Sequence, residues 1–477
     1  MLSGANRGPV GSHRTSKKEV ETSRHLRLKA MAADEQQLDT DKRSKRVLIL
    51  ASKLGYQTRG FAEAAEKLGV GVVFGTDRCH QLENPWGDDA LALHFENPQD
   101  TAREIVHALG SDNSQPKVKG IQAVIALGDR PTPAGAYAAA ALKIAGNPPE
   151  AVEACRSKLR QREVLQATEV RVPDFLSFAK TEDLRGVIAR VKFPCVVKPL
   201  ALSASQGVIR ANSPEEFARA VRRIQLLLES PEIQVLHEPT LVDRLLVESY
   251  IPGREVALEG LIDAGRLRVL AIFDKPDPLE GPFFEESIYV TPSRLPALEQ
   301  AAIKEAAQQS VAALGLTTGP VHAEFRINED GPWVLEIAPR PIGGLCSRAL
   351  RFGPGEISLE ELLLRHALGM PKGDLEREDS ASGVMMIPVP RSGIFDGVDG
   401  IEAAEHVAGV TEIRITARLH DYMAAWPEGS SYLGFIFART ESPTRVEGAL
   451  REAYARLSFR FSPRLPVEHP ATGKLRR

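Results

Sequence analysis

Between Val47 and Ile144 short apolar runs alternate with helical patterns, and this alternation restricts the chain to few folds. RVLILASKLG reads as a strand (Val47 to Ala51) entering a glycine-containing turn, followed by a helix from Phe61 to Leu68. GVGVVFGTD is a second strand, Thr101 to Leu109 a second helix, AVIALGD a third strand, and Ala134 to Ile144 an alanine-rich third helix. Strand, helix, strand, helix, strand predicts an open parallel sheet with covering helices, an α/β architecture. Ligands of such sheets gather at the carboxyl ends of the strands, here near Ser52, Gly75-Thr76-Asp77 and Gly128-Asp129. None of these turns carries the G-x-G-x-x-G spacing of a dinucleotide site.

GNPPE (Gly146 to Glu150) breaks the pattern and marks a boundary. A helix holding SKLRQREVLQA follows, then the strand FPCVVKP, the loop ALSASQGV, a helix from Pro214 to Leu228, the strands LLVESYIPG and REVALEGLID, and a helix from Leu298 to Leu314. From about Ser380, GVMMIPVP, EIRITA and YLGFIFA read as strands and Val446 to Leu457 as a helix. At 477 residues the chain is too long for one core. The expected division is a disordered tail over 1–44, a parallel α/β domain over 45–146, a central domain over 147–379, a small α+β domain over 380–466 and a tail over 467–477. The first 44 residues are Ser/Lys/Arg/Glu-rich without an apolar h-region, which does not fit a secretory signal, and Met31 is an alternative start.

A net charge of −3 gives no electrostatic case for nucleic acid or an anionic membrane as partner. The four cysteines (Cys79, Cys155, Cys195, Cys346) have neither zinc nor disulfide spacing, so a reducing cytoplasm is the expected location. No apolar run approaches the roughly 18 residues of a membrane span.

Candidate chemistry begins with HAEFRINEDGPWVLEIAPR, His322 to Arg340. Val321, Ala323, Phe325 and Ile327 alternate with His322, Glu324 and Arg326; beyond the turn, Trp333, Leu335 and Ile337 alternate with Val334, Glu336 and Ala338. Period two on both sides of Asn-Glu-Asp-Gly-Pro predicts a β-hairpin. If Ile327 pairs with Trp333, Glu324 falls opposite Glu336 on one face, where like charges roughly 5 Å apart are destabilising. A divalent cation between them reverses that; magnesium prefers oxygen ligands, one or two carboxylates plus phosphate oxygens. Two solvated glutamates, one neutralised by Arg326, are the plainer reading.

Lys198 closes the apolar strand Val196-Val197-Lys198-Pro199, either reaching solvent or aimed at an anion. The following loop offers Ser203, Ser205 and Gly207, small residues whose backbone N–H groups can converge on phosphate oxygens. Lys158 stands on a basic helix, where a solvated lysine is the ordinary case. Glu248 to Gly253 reads as a strand leaving for a turn, able to lay its backbone against a flat heterocycle, and Glu255 just beyond could accept from ribose hydroxyls or simply be a surface glutamate. His322 could bind substrate, move a proton or be structural. Glu285 and Glu286 in GPFFEESIYV could meet an ammonium group, and Cys346 reads as a packing residue.

In order and spacing, Lys158, Lys198 with the Ser203–Gly207 loop, Glu248 to Ile251, Glu255, Glu324, Glu336 and Arg340 resemble the ATP-grasp superfamily of carboxylate–amine and carboxylate–thiol ligases, over about residues 45 to 466. The resemblance implies an ATP-grasp fold, two α+β subdomains clamping ATP. It implies that Lys158 and Lys198 contact phosphates, that Glu248 and Ile251 bind adenine through their backbone, that Glu255 holds the ribose, that Glu324 and Glu336 ligate Mg²⁺ (or Mn²⁺), and that Arg340 steadies the transferred phosphoryl group. The family's Glu-x-Asn-x-Arg is here Glu336-Ile337-Ala338-Pro339-Arg340, and alanine cannot coordinate. GPVHAEF with EIAPRPIGG looks most like the L-amino acid ligase branch, which includes dipeptide and carnosine synthases. The reaction implied is formation of an acyl phosphate and then an amide from small-molecule carboxylate and amine substrates, amino acids in that branch, by an enzyme commonly found as a homodimer. An ATP-dependent carboxylase or purine-biosynthesis ligase of the same fold, and a protein that holds ATP without catalysis, are the alternatives.

Overall fold

The computed structural model describes residues 45–52, 56–77, 90–110, 120–200, 202–234 and 242–464, with the short pairs 467–468 and 475–476. The expected tail over 1–44, and Met31 within it, lie outside the described residues, as do most of 467–477 and Ala201 in the ALSASQGV loop.

The amino-terminal alternation forms the expected parallel sheet: β1 (Arg46–Ala51), β2 (Gly71–Thr76), β3 (Ala90–Ala92) and β4 (Ile121–Leu127), in the order β3-β2-β1-β4. Val47 to Leu50 are fully buried because helices pack on both faces, each side chain contributing roughly 1.5–3 kcal/mol. At the carboxyl end of β4 the chain turns through Gly128, φ +87°, a conformation that favours glycine, and presents Asp129.

The expected SKLRQREVLQA helix starts one residue into that stretch. Ser157 is extended (φ −89°, ψ 108°), separating the helices Pro149–Arg156 and Lys158–Gln166, and its hydroxyl accepts from the Arg160 N–H at 3.3 Å. Lys158 is thus the first residue of its helix. A second, antiparallel sheet holds β5 (Phe175–Ala179), β6 (Cys195–Pro199), β7 (Ile209–Ala211) and β8 (Arg244–Ser249) in the order β5-β8-β6-β7. It is backed by the helix Pro214–Leu228, whose Phe217, Val221, Ile224 and Leu228 repeat at helical spacing and are all buried.

The remaining strands are β9 (Arg254–Asp263), β10 (Arg266–Asp274), β11 (Ile288–Thr291), β12 (Gly319–Asn328), β13 (Gly331–Ala338), β14 (Ala381–Ile387), β15 (Gly393–Asp399), β16 (Val410–Ile415), β17 (Tyr422–Met423), β18 (Gly434–Thr440) and β19 (Ser458–Ser462). Eight of them form one sheet, β13-β12-β9-β10-β11-β14-β18-β16, so the boundary expected near residue 380 lies between strands of a continuous sheet. β17, β15 and β19 make a small separate sheet. Val47, Ile49 and Phe61 share one core with Ala257, Leu261, Leu362, Met386 and Phe435, which fixes the amino-terminal sheet against the long one and brings Asp129 to the hairpin. Among the described residues no helix is long and apolar enough to cross a membrane.

Candidate functional site

The β12–β13 hairpin is tighter than expected: Asn328 pairs with Gly331, leaving a two-residue Glu329-Asp330 turn. Ile327 pairs with Pro332 rather than Trp333, one residue out of the expected register, yet Glu324 does pair with Glu336. A β-bulge between Phe325↔Val334 and Glu324↔Glu336 absorbs the difference, with Leu335 as the extra residue. Strict alternation over Trp333 to Ala338 is therefore corrected. Val334 and Ile337 both enter the hydrophobic core, while the consecutive Leu335 and Glu336 both line one pocket. An unbulged strand would send either Val334 or Ile337 to the polar face, because a one-residue slip flips every side chain.

The edge strand β13 is held by the helix Lys158–Gln166. Gln161, buried, accepts from the Ile337 N–H at 3.0 Å and donates to the Ile337 carbonyl at 2.8 Å. Arg162, 1% exposed, donates to the Leu335 carbonyl at 2.5 Å. The same guanidinium lies 2.8 Å from Glu248, which also pairs with Lys198 at 2.6 Å. One buried chain of contacts therefore runs from β6 through β8 and the helix to the bulge.

Lys158, Lys198, Ser203, Ser205, Glu248, Ile251, Glu255, Glu324 and Glu336 all line this pocket. Lys158 Nζ donates to the Leu202 carbonyl at the start of the loop. Burial pushes both Lys158 and Lys198 below the usual lysine range, although Glu336 and Glu248 respectively pull them back. Two desolvated ammonium groups favour an anion between them. Glu248 is placed differently from the expectation. Its backbone lies in β8, paired with β5 on one side and β6 on the other, and its carboxylate anchors Arg162 and Lys198. The Ile251 carbonyl accepts from Arg326 at 2.8 Å. Glu255 accepts from Lys275 at 2.9 Å and Arg326 at 2.8 Å, so part of its acceptor capacity is already used.

Three expected residues stand outside the pocket lining. Gly207 donates its N–H to the Pro427 carbonyl at 2.9 Å. Arg340 is half-buried in a two-pronged pair with Asp129, at 2.5 and 3.3 Å. Burial pushes Asp129 up, but Arg340 outweighs it and holds the carboxyl at about 2. His322, buried, is 3.1 Å from Glu259 through Nδ1 and 3.6 Å from Glu324 through Nε2. Burial lowers the imidazole, but Glu259 and Glu324 together raise it to about 9. Burial pushes the Glu259 carboxyl above its usual range, although His322 and the Ile342 N–H, which donates to it at 3.1 Å, pull it back.

Sequence reasoning missed Lys275. It closes the apolar β10 much as Lys198 closes β6, the signal that could have found it. Its Nζ sits among Glu255 (2.9 Å), Glu286 and Glu324 (3.4 Å). Those three carboxylates are close enough to share a metal ion, but the lysine ammonium is the cation among them. Glu286 also accepts from the Tyr289 hydroxyl at 2.6 Å, and burial with the neighbouring Glu324 raises it to about 7. Glu285 keeps one buried carboxylate oxygen without a hydrogen-bond partner among the described residues. Cys346 is buried, with burial pushing its thiol far up.

The donor set fits a hard divalent cation at Glu324 and Glu336. Lys275 relieves Glu324 alone, and Glu336 has no ion-pair partner within 4 Å among the described residues. Two carboxylates about 5 Å apart repel by roughly 3 kcal/mol at an effective dielectric of 20, a cost that a bound ion removes.

Residues 191–349 match the ATP-grasp domain family, and residues 385–462 match the L-amino acid ligase C-terminal domain 2 family. Residues 191–349 thus carry an ATP-grasp domain. A crystal structure of L-amino acid ligase from Bacillus licheniformis superposes with a TM-score of 0.73 at 28% identity, covering 88% of this chain and 100% of that one. The uncharacterized protein y4rH of Sinorhizobium fredii is 26% identical over 324 residues, 67% of this chain and 64% of that protein. The alanine–anticapsin ligase of Bacillus subtilis is 24% identical over 339 residues, 67% of this chain and 70% of that protein. The α/β ATP-grasp fold, with a parallel-sheet region before it and a small domain after it, is thus the architecture of the chain.

Proposed function

We propose that this protein is an ATP- and Mg²⁺-dependent, ADP-forming carboxylate–amine ligase that joins amino acids. The observation that carries the reading is Glu336 opposite Glu324 across the bulge, in the pocket that also holds Lys158 and Lys198. The similarity to L-amino acid ligase and alanine–anticapsin ligase supports the same reading.

In the first step a substrate carboxylate oxygen attacks the γ-phosphorus of ATP in line. The bond to the β-phosphate bridging oxygen breaks, ADP departs with that electron pair, and an acyl phosphate remains. In the second, a neutral amine attacks the acyl carbon, the C–O bond to phosphate breaks, and inorganic phosphate leaves. The ammonium intermediate loses one proton to solvent or to that phosphate. The residues contribute position and charge rather than a covalent bond. Lys158 and Lys198 neutralise phosphate oxygens, and Lys198 is oriented by Glu248. Arg340, braced by Asp129, offers its remaining charge to the phosphoryl group in transfer. Glu324 and Glu336 would hold Mg²⁺, which would supply charge neutralisation for the phosphates when bound. His322 stands beside Glu324, and Glu285 is the proposed partner of a substrate ammonium.

The buried free thiols Cys155, Cys195 and Cys346 support a cytoplasmic location, and a homodimer is the proposed assembly. Purified protein with ATP, Mg²⁺ and pairs of amino acids should release phosphate only when an acceptable pair is present, with product mass equal to the pair less one water. Phosphate release that instead requires bicarbonate would favour the carboxylase reading; ATP binding without turnover on any pair would favour a non-catalytic protein, as Ala338 would suggest.

A further inference from the structure

We propose that the carboxyl-terminal unit completes the nucleotide site: Trp426 and Glu428, on the turn after β17, are positioning residues that hold the Ser203–Gly207 loop in its pocket-facing shape. The proposal rests on that pocket being an ATP site.

Ser203, Ala204 and Ser205 form one wall of the pocket. Ala204 and Ser205 each have φ +54°, left-handed for residues that carry a side chain. Such conformations are strained and persist only where surrounding contacts over-determine them. Inside the loop, the Gln206 N–H reaches the Ser203 carbonyl at 3.2 Å and the Val208 N–H reaches the Ser205 carbonyl at 3.1 Å. The other contacts come from more than 200 residues away. The Trp426 indole N–H donates to the Ala204 carbonyl at 3.3 Å, Gln206 Nε2 to the Glu428 carbonyl at 2.6 Å, and the Gly207 N–H to the Pro427 carbonyl at 2.9 Å. Gly207 has φ +72°, and a Cβ there would press the Pro199 ring at 3.2 Å. The Glu428 carboxylate pairs fork-to-fork with Arg223, one contact at 2.9 Å, on the helix that backs the same subdomain. Trp426 is itself fixed by the Tyr432 ring, 5.0 Å between centroids. Ala204, Gln206 and Gly207, three of four consecutive loop residues, are therefore fastened to the carboxyl-terminal unit, and the strained wall of the pocket depends on that fastening.

The test measures the ATP dissociation constant by calorimetry, the KM for ATP and kcat, and the melting temperature. Trp426→Phe keeps an aromatic ring on Tyr432 and removes the indole N–H with the five-membered ring that carries it; it should weaken ATP binding about threefold to tenfold, raise KM in parallel and leave kcat within threefold. Arg223→Glu should weaken ATP binding about threefold, and Arg223→Glu combined with Glu428→Arg should restore it to within twofold, with a salt-dependent difference. Melting temperatures should fall by no more than a few degrees, since a phenyl ring still fills most of the buried Trp426 position and the Arg223–Glu428 pair is exposed. ATP binding unchanged in both single variants, or a double variant no better than Arg223→Glu, overturns the proposal. Wild-type protein that binds no ATP overturns the nucleotide reading itself.

Discussion

Arg162 reaches the carbonyl of Leu335, the one residue that breaks the alternation of β13. The helix that starts with Lys158 thereby determines where the edge strand bulges, and the bulge determines which face Glu336 occupies. Lys158 and Glu336 are joined through rigid elements, which suits a site that must hold a triphosphate and a cation in fixed relation.

Replacing Arg162 with methionine should be costly. Glu248 would lose one of its two cationic partners while remaining buried, and the Leu335 carbonyl would lose its donor. Removing one member of a buried ion pair typically costs about 3–5 kcal/mol. The expected outcome is a melting temperature lower by at least several degrees and a raised KM for ATP, with Arg162→Lys intermediate; thermal unfolding and initial rates check it.

Glu336→Ala should lower amide formation at least about a hundredfold while leaving the fold intact. Loss of one of two opposed carboxylates relieves repulsion, so the melting temperature without Mg²⁺ should be unchanged or slightly higher. Mg²⁺ should stabilise the wild-type protein with ATP present and should fail to stabilise this variant. Near-normal ATP consumption would refute the assignment.

Ala338 follows Glu336 by two residues on β13, pairs with His322 and is 3% exposed. Ala338→Asn adds an oxygen donor on the Glu336 side of the strand. The expected result is a half-saturating Mg²⁺ concentration lower by a few-fold, read from phosphate release against metal concentration.

Glu285 gives a pH signature. Burial raises its carboxyl to about 7. A folded-state value above the unfolded one means that ionisation favours the unfolded chain: nothing is lost below about 4.5, and stability falls as the pH rises through 7. Glu285→Gln should therefore match wild type at pH 4 and melt about 1–3 °C higher at pH 8. Equal melting temperatures at both pH values would show that the carboxyl ionises as freely in the folded chain as in the unfolded one.

Local pattern determined much of this protein. The alternation between Val47 and Ile144 sufficed for the parallel sheet, since apolar spacing reports which face of an element is buried. The order of Lys158, Lys198, Glu324 and Glu336 was enough to suggest a nucleotide and its cation. Tertiary structure alone decided the bulge at Leu335, the anchoring of Lys198 by Glu248 and Arg162, the occupation of the Glu255–Glu286–Glu324 cluster by Lys275, the bracing of Arg340 by Asp129 from another sheet, and the tie between Trp426 and the Ser203–Gly207 loop. Each of these is a meeting of groups far apart along the chain, set by how packed elements approach one another, and periodicity within one element contains no information about that approach.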